Sequence, residues 1–139
     1  MFVVFDMDGT LSDPTHRVHH LTNKDWDSFY EACDGDAPKP EVLAVMKAMT
    51  KAGHRVEIWT GRRESTRMKT VEWLEGQGIE RGYGLRMRQD GDRRHDTITK
   101  GEWLDVHGTP DLVFEDRNSM VEFYRNEGIT VAQVALGNF

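Results

Sequence analysis

The chain has 139 residues and a formal net charge of −6, with 37% hydrophobic and 30% charged residues. That balance is ordinary for a soluble globular protein, and the length suits one domain, spanning residues 1–139, whose core needs no disulfide or structural metal. It excludes a membrane span and the broadly basic surface of a protein that coats long nucleic acid, but not a local basic patch for a nucleic-acid end or a nucleotide.

Taken in chain order, Phe2-Val3-Val4-Phe5 is a short apolar run ending in carboxylates, which predicts a buried parallel strand from Phe2 to Asp6. It lacks the basic region and small-residue cleavage site of a secretion signal. Cys33 is the single cysteine, has no internal partner, and reads as a small buried residue; this fits a reducing compartment, the cytoplasm. A short helix is expected around Trp26 to Ala32. Pro40 opens a helix with Val42, Leu43, Val45, Met46 and Met49 apolar, and Gly53 stops it. Val56 to Thr60 predicts a second strand and Glu64 to Leu74 a helix ended by Gly76 and Gly78. Leu85 to Arg88 follows as a short strand and Thr97 to His107 as a helix. Leu112 to Glu115 is the next strand, Ser119 to Asn126 a helix, and Val131 to Ala135 the last strand.

This alternation predicts an α/β fold: a three-layer, Rossmann-like parallel sheet with helices on both faces and right-handed crossovers. The least regular stretches, Ser12 to Lys39 and Gly76 to His95, leave from the carboxyl ends of predicted strands, the edge where open parallel sheets bind ligands.

The strongest chemical signal is Asp6-Met7-Asp8-Gly9-Thr10-Leu11. Residues two apart in a strand point to the same side, roughly 6–7 Å apart. Two carboxylates placed so divide labour: one attacks phosphorus or binds a metal, the other moves protons. Gly9 lets the chain turn sharply after the strand.

The run resembles the first motif of the haloacid dehalogenase superfamily, Asp-x-Asp-x-Thr/Val after a buried strand. Thr60, in Ile58-Trp59-Thr60-Gly61-Arg62, resembles the second motif. Lys100, in Thr97-Ile98-Thr99-Lys100, is similar to the third, and Glu115-Asp116 after Leu112-Val113-Phe114 to the acidic fourth. The Thr-Gly-Arg run, the acidic pair followed by Arg117, the ending Gln133-Val134-Ala135-x-Gly137-x-Phe139 and the position of Arg17 are similar to phosphatase domains of the bacteriophage polynucleotide kinase/phosphatase type. Two departures stand out. No Gly-x-x-x-x-Gly-Lys-Ser/Thr phosphate loop of a kinase domain is present, and His95-Asp96 stands where those domains tend to have two acids.

The resemblance implies a magnesium-dependent phosphomonoesterase. Asp6 is the nucleophile that becomes an aspartyl phosphate. Asp8 is the acid and then the base, its pKa raised by its neighbour. Thr60 holds a phosphate oxygen, and Lys100 offsets charge on the phosphoryl group and on Asp6. Asp6, the backbone carbonyl of Asp8 and Asp116 are the implied magnesium ligands. Glu115 orients Lys100 or a metal-bound water, and Asp96 lies just outside it. Arg17, Gly61 and Arg62 are the expected substrate-binding residues, since arginine suits bidentate contact with phosphate.

Other residues carry weaker signals. His16, His19 and His20 match no zinc spacing and read as surface or flap residues. Trp26, Phe29 and Tyr30, at helical spacing, read as core of the small insert, with a stacking surface for a base as the sharper alternative. The segment from Arg81 to Arg94 carries five arginines with Asp90 and Asp92, and reads as a solvated loop or as a phosphate-contact patch.

Both irregular stretches are too short for a separate cap, so an open site is expected, able to admit a polynucleotide end. The substrate reading is therefore a nucleic-acid 3′-phosphatase on DNA or RNA ends. The alternative is a nucleoside monophosphate phosphatase, and the remote one a non-catalytic binding module. The resemblance further implies a phage source, hence the host cytoplasm, and a homo-oligomer.

Overall fold

The computed structural model describes all residues, 1–139. Its centre is a five-stranded sheet in the order β5-β4-β1-β6-β7, every neighbouring pair parallel. The strands are β1 (Phe2–Phe5), β4 (Arg55–Arg63), β5 (Gly84–Arg88), β6 (Leu112–Glu115) and β7 (Thr130–Gln133). A two-stranded antiparallel ribbon of β2 (Ser12–Asp13) and β3 (Ala37–Pro38) closes the base of the first insert. The helices are α1 (Trp26–Glu31), α2 (Pro40–Lys51), α3 (Arg67–Gly76), α4 (Asp96–His107) and α5 (Asn118–Asn126). No helix is long and apolar enough to cross a membrane.

Every residue of β1 is buried because the strand has partners on both edges and helices on both faces. The two-residue period of the strand sorts its side chains. Val3 and Phe5 pack with Val42, Leu43 and Met46 of α2 and with Trp73 and Leu74 of α3. Phe2 and Val4 face the other way, onto Trp59, Val113 and the α5 residues Met120, Val121 and Tyr124, with Trp103 and Leu104 of α4 alongside. The expected three-layer architecture is what forms.

From β1 the chain runs outward through β4 to β5, then returns to the other side of β1 for β6 and β7. The order therefore reverses around β1, and Asp6 emerges at the carboxyl end of that strand, where open α/β sheets place ligands.

Most elements match the sequence reading within a residue or two. Three differences matter for the site. Strand β4 continues beyond Thr60 to Arg63, with a register shift against β5 between Thr60 and Arg63. Such an irregularity re-aims side chains at a strand end. The insert also holds a 3-10 helix over Thr15–Asn23, ahead of the short helix expected around Trp26 to Ala32. Finally, the β2/β3 ribbon folds the insert back on itself and carries Asp36, just before β3, beside Ser12.

Candidate active site

At the end of β1 the buried carboxylate of Asp6 accepts a hydrogen bond from Lys100 Nζ at 2.7 Å. Lys100 projects from α4 and is itself buried; its ammonium also donates to Glu115 Oε2 at 3.2 Å. Glu115 closes β6. Its Oε1 accepts the backbone N–H groups of Asp116 (3.0 Å) and Arg117 (3.2 Å), which fixes the turn after the strand. Thr10 Oγ1 donates to Asp116 Oδ1 at 3.2 Å. Gly9 has φ +89°, and a Cβ there would lie 2.1 Å from Asp116 Oδ2, so this turn requires glycine on both counts.

Asp6, Glu115 and Asp116 can bring one oxygen each within 4.8 Å of one another. Burial, with the charge of Glu115 next, pushes Asp6 up to about 7. Burial and the charge of Asp6 push Asp116 up to about 6. Glu115 is also raised by burial, although Lys100 works against it. For Lys100 burial favours the neutral amine, but Asp6 and Glu115 overcome it and keep the ammonium charged. Three crowded carboxylates with one ammonium among them form a hard-oxygen donor set short of positive charge, which fits a divalent cation such as magnesium. Glu115 has both oxygens engaged by Lys100 and backbone N–H groups, so Asp6 and Asp116 are the carboxylates with capacity for an ion.

Asp8 turns away from this cluster. Its Oδ1 accepts from Arg17 Nη2 at 2.5 Å and from Arg62 Nη2 at 2.8 Å, and Arg62 Nε lies 3.1 Å from the same oxygen. Burial alone would raise its pKa, but Arg62 and Arg17 bring it down to about 2. The sequence reading of an Asp8 raised by its neighbour is therefore corrected. Asp6 is the raised member of the pair, because the arginines stand beside Asp8 and the acids beside Asp6.

Arg17 and Arg62, expected to meet the phosphate of the substrate, are both wholly buried. Arg17 gives Nε and Nη2 to Asp36 (2.7 and 2.8 Å) and Nη1 to the Phe29 carbonyl. Arg62 gives Nη1 to Thr70 and shares Nη2 among Asp8, Ser12 and Asp36. Their guanidinium donors are committed to protein groups, so the geometry makes them holders of Asp8. The buried carboxylate that links them, Asp36, escaped the sequence reading. Nothing local marks it, since the ribbon that positions it is two residues long on each side.

Thr60 lies where expected, buried at the end of the regular part of β4, and its Oγ1 accepts the Arg62 N–H at 3.1 Å, leaving the hydroxyl proton free. The carbonyl of Gly61 accepts from Tyr30 OH (3.3 Å) and Arg88 Nε (3.2 Å). Asp96 begins α4 and pairs with Arg88 and, at 3.2 Å, with Arg117; burial opposes its charge, but Lys100, Arg117 and Arg88 hold its pKa down. It presses on Gly61, where a Cβ would lie 2.9 Å from Oδ1.

The remaining candidates separate. The histidines stay outside the acidic cluster, and His16 Nε2 meets Asp36 Oδ1 at 2.8 Å. Cys33 is buried, as read. Of the arginine-rich segment, Arg81, Arg86, Arg88 and Arg94 are paired with Glu75, Glu57, Asp96 and Glu102, so most of that charge is neutralised within the fold. Phe29 is buried, but Trp26 is 47% exposed, which corrects its assignment to the core of the insert.

A protein-family model described as the polynucleotide kinase PNKP phosphatase domain matches residues 1–139. Among solved structures, a chain of the Pnkp1/Rnl/Hen1 RNA repair complex superposes with a TM-score of 0.80 at 28% identity, over 99% of this chain and 43% of that one. A chain from a second Pnkp1/Rnl/Hen1 complex gives 0.79 at 31% identity, over 99% and 47%. This chain thus spans less than half the length of either. The class C acid phosphatase of Bacillus anthracis shares the fold, with a TM-score of 0.68 at 15% identity over 99% of this chain and 66% of that one. With its carboxylate pair, buried lysine and acidic cluster at one sheet edge, the chain belongs to the family of polynucleotide kinase PNKP phosphatase domains, in the haloacid dehalogenase superfamily, and is a phosphatase.

Proposed function

We propose that this phosphatase is a magnesium-dependent 3′-phosphatase of nucleic-acid ends that works through an aspartyl phosphate on Asp6. The observation that carries the chemistry is the placement of Asp6: at the carboxyl end of the central strand, 2.7 Å from a buried lysine, beside two further acids. Asp6 Oδ attacks phosphorus, and the bond from phosphorus to the departing sugar oxygen breaks. Asp8 gives that oxygen a proton. Water then attacks the phosphorus of the acyl phosphate and yields a proton to Asp8, and the bond from phosphorus to Asp6 breaks, releasing phosphate.

Asp8 begins ionised between its arginines. A phosphate dianion arriving beside it disfavours that charge and raises its pKa, so that it takes up a proton from solvent on substrate binding and serves as an acid only then. Thr60 retains a hydroxyl proton for a phosphate oxygen, and Lys100 offsets the charge of the transferring group. Asp6, Asp116 and the Asp8 carbonyl would hold magnesium. The ion, when bound, screens the repulsion between carboxylate and phosphate.

The substrate class rests on the family match and on two neighbours from RNA repair complexes. The insert adds only the short ribbon, two 3-10 helices and the six-residue α1, which suits a site open to a polymer end. The test compares phosphate release from a 3′-phosphorylated oligonucleotide with release from 3′- and 5′-nucleoside monophosphates, each beside Asp6→Asn. Faster turnover of the oligonucleotide end, lost in Asp6→Asn, is the expected result. A preference for mononucleotides would make the enzyme a nucleotidase, and release that survives Asp6→Asn would remove the aspartyl phosphate from the mechanism.

A further inference from the structure

Helix α1 is tied to the catalytic edge on its inner side and bare on its outer side. Inward, the Arg17 guanidinium that holds Asp8 lies 4.2 Å over the Phe29 ring. Tyr30 OH bonds the carbonyl of Gly61, one residue past Thr60. Outward, the indole of Trp26 lies near-parallel to Tyr30, with centroids 6.1 Å apart and 26° between planes. Arg63, directly after Arg62 on β4, places its guanidinium 4.9 Å over the Tyr30 ring. Arg63, Tyr30 and Trp26 thus form a ladder of flat groups that starts beside the phosphate site and ends in solvent. Trp26 and Phe139 are the aromatic members of the exposed large hydrophobics, and Phe139 already has Arg117 over its ring.

Charge decides what fits this ladder. Two cations on α1's flank are neutralised, Arg63 by Asp27 and Lys69 by Glu31 at 2.6 Å, while Lys24, two residues before Trp26, is exposed and makes no ion pair. Asp27 and Glu31 are themselves well exposed, with side chains 90% and 77% accessible. A phosphodiester backbone would find two exposed acids on α1 itself, against the single unpaired cation Lys24 just before it. An uncharged planar group suits the surface, because stacking needs only a π face and desolvation of the exposed indole.

We propose that Trp26, backed by Tyr30, is a stacking platform for the base of the nucleotide that carries the scissile 3′-phosphate. This rests on the 3′-end reading above and deepens it. The site reads one terminal base by stacking, and the rest of the strand leaves away from α1. Recognition at this platform is tolerant of base identity, since every base offers a π face. It is also weakly dependent on salt, since at most the one unpaired cation Lys24 stands beside it.

The experiment measures kcat/KM for two 3′-phosphorylated oligonucleotides that differ only in whether the last nucleotide carries a base or a tetrahydrofuran abasic unit. Both are run with the unmodified chain, Trp26→Ala and Trp26→Phe, at two salt concentrations. The unmodified enzyme is expected to prefer the base-bearing end about 10-fold, within the range a single stacked base supplies. Trp26→Ala should bring the ratio near one, through KM, and Trp26→Phe should restore most of it, at both salt concentrations. A purely structural role for Trp26 would lower activity on both ends and leave the ratio intact, which would overturn the proposal. Equal use of both ends by the unmodified enzyme would overturn it while leaving the 3′-phosphatase reading standing. No release from either end would remove that reading and this one together.

Discussion

Substitution of Gly137 by alanine should injure the proposed metal site from behind. After β7 the chain runs across the back of the β6–α5 turn. Val134 N–H donates to the Glu115 carbonyl at 3.0 Å, Gln133 Nε2 to the Asp116 carbonyl at 3.0 Å, and the Gly137 carbonyl accepts from Asn118 N–H at 2.6 Å. A Cβ on Gly137 would stand 1.9 Å from the Asp116 carbonyl oxygen, 2.5 Å from its carbon and 2.7 Å from Arg117 Cα. All three are backbone atoms, so no side chain can swing aside. Reaching an ordinary contact of about 3.4 Å demands about 1.5 Å of separation between the tail and Asp116. A misplacement on the order of 1 Å at a positioned group costs on the order of 10²-fold in rate. Gly137→Ala should therefore lower kcat/KM about 100-fold and raise the magnesium concentration needed for half-maximal activity. Thermal stability should drop by only about 1 kcal/mol, the worth of the bond to Asn118. The control is Gly76→Ala, at the end of α3, where a Cβ meets nothing within 4 Å and φ is not positive. It should leave activity unchanged and add about 0.5–1 kcal/mol of stability. If Gly137→Ala loses stability but keeps its rate and magnesium dependence, the tail has simply lifted away, and its supposed hold on Asp116 is refuted.

Glu57 is nearly buried between β4 and its neighbours, and although burial favours its neutral form, hydrogen bonds from Trp59, Arg86 and Arg55 bring its pKa from 4.5 down to about 2. Its contribution to stability is therefore complete above pH 4.5 and is lost as pH falls towards 2; melting curves of Glu57→Gln should lose that slope and lie below the parent at pH 7. Asp6 has the opposite sign. With its folded pKa about 7 against an ordinary 3.8, metal-free stability should fall as pH rises through that interval. Asp6→Asn should melt progressively higher than the parent between pH 5 and 8 without metal, and a constant difference would contradict this. Asp36→Asn keeps the shape of the link between Arg17 and Arg62 but removes its charge. It should cost about 3 kcal/mol in denaturant unfolding, as breaking a buried pair does, and lower kcat more than it raises KM.

Where function was legible in the sequence, the signal was local. A four-residue apolar run followed by Asp6 marks both the central strand and the proposed nucleophile, because a parallel strand buried on both faces has few other ways to look. The same holds for β6 and its acids. The lysine on α4 was legible through its motif and its burial was not, since a helix lysine in sequence is most often exposed. Asp36 was invisible because its position depends on a ribbon too short to leave a pattern. The aim of Arg62 depends on a register shift between β4 and β5 that a strand of uniform period does not announce. Trp26 misled because helical spacing with Phe29 and Tyr30 shows that three aromatics share a helix, and not which of them the rest of the fold covers.

Asp6 and Asp8 leave the same strand end two residues apart, yet one is pushed up to about 7 and the other down to about 2. The backbone treats them alike, so the difference comes from the groups folded around them. Asp6 is raised by burial and by the charge of Glu115, with Lys100 working against them, both residues from the second half of the chain. Asp8 is set by Arg17 from the insert and by Arg62 from β4, locked together by Asp36, also from the insert. The insert that is too short to cover the site is long enough to supply one wall of it. That wall keeps Asp8 charged and apart from the acidic cluster, so that in the proposed mechanism a single motif would offer a nucleophile and a proton donor that do not compete for the same role.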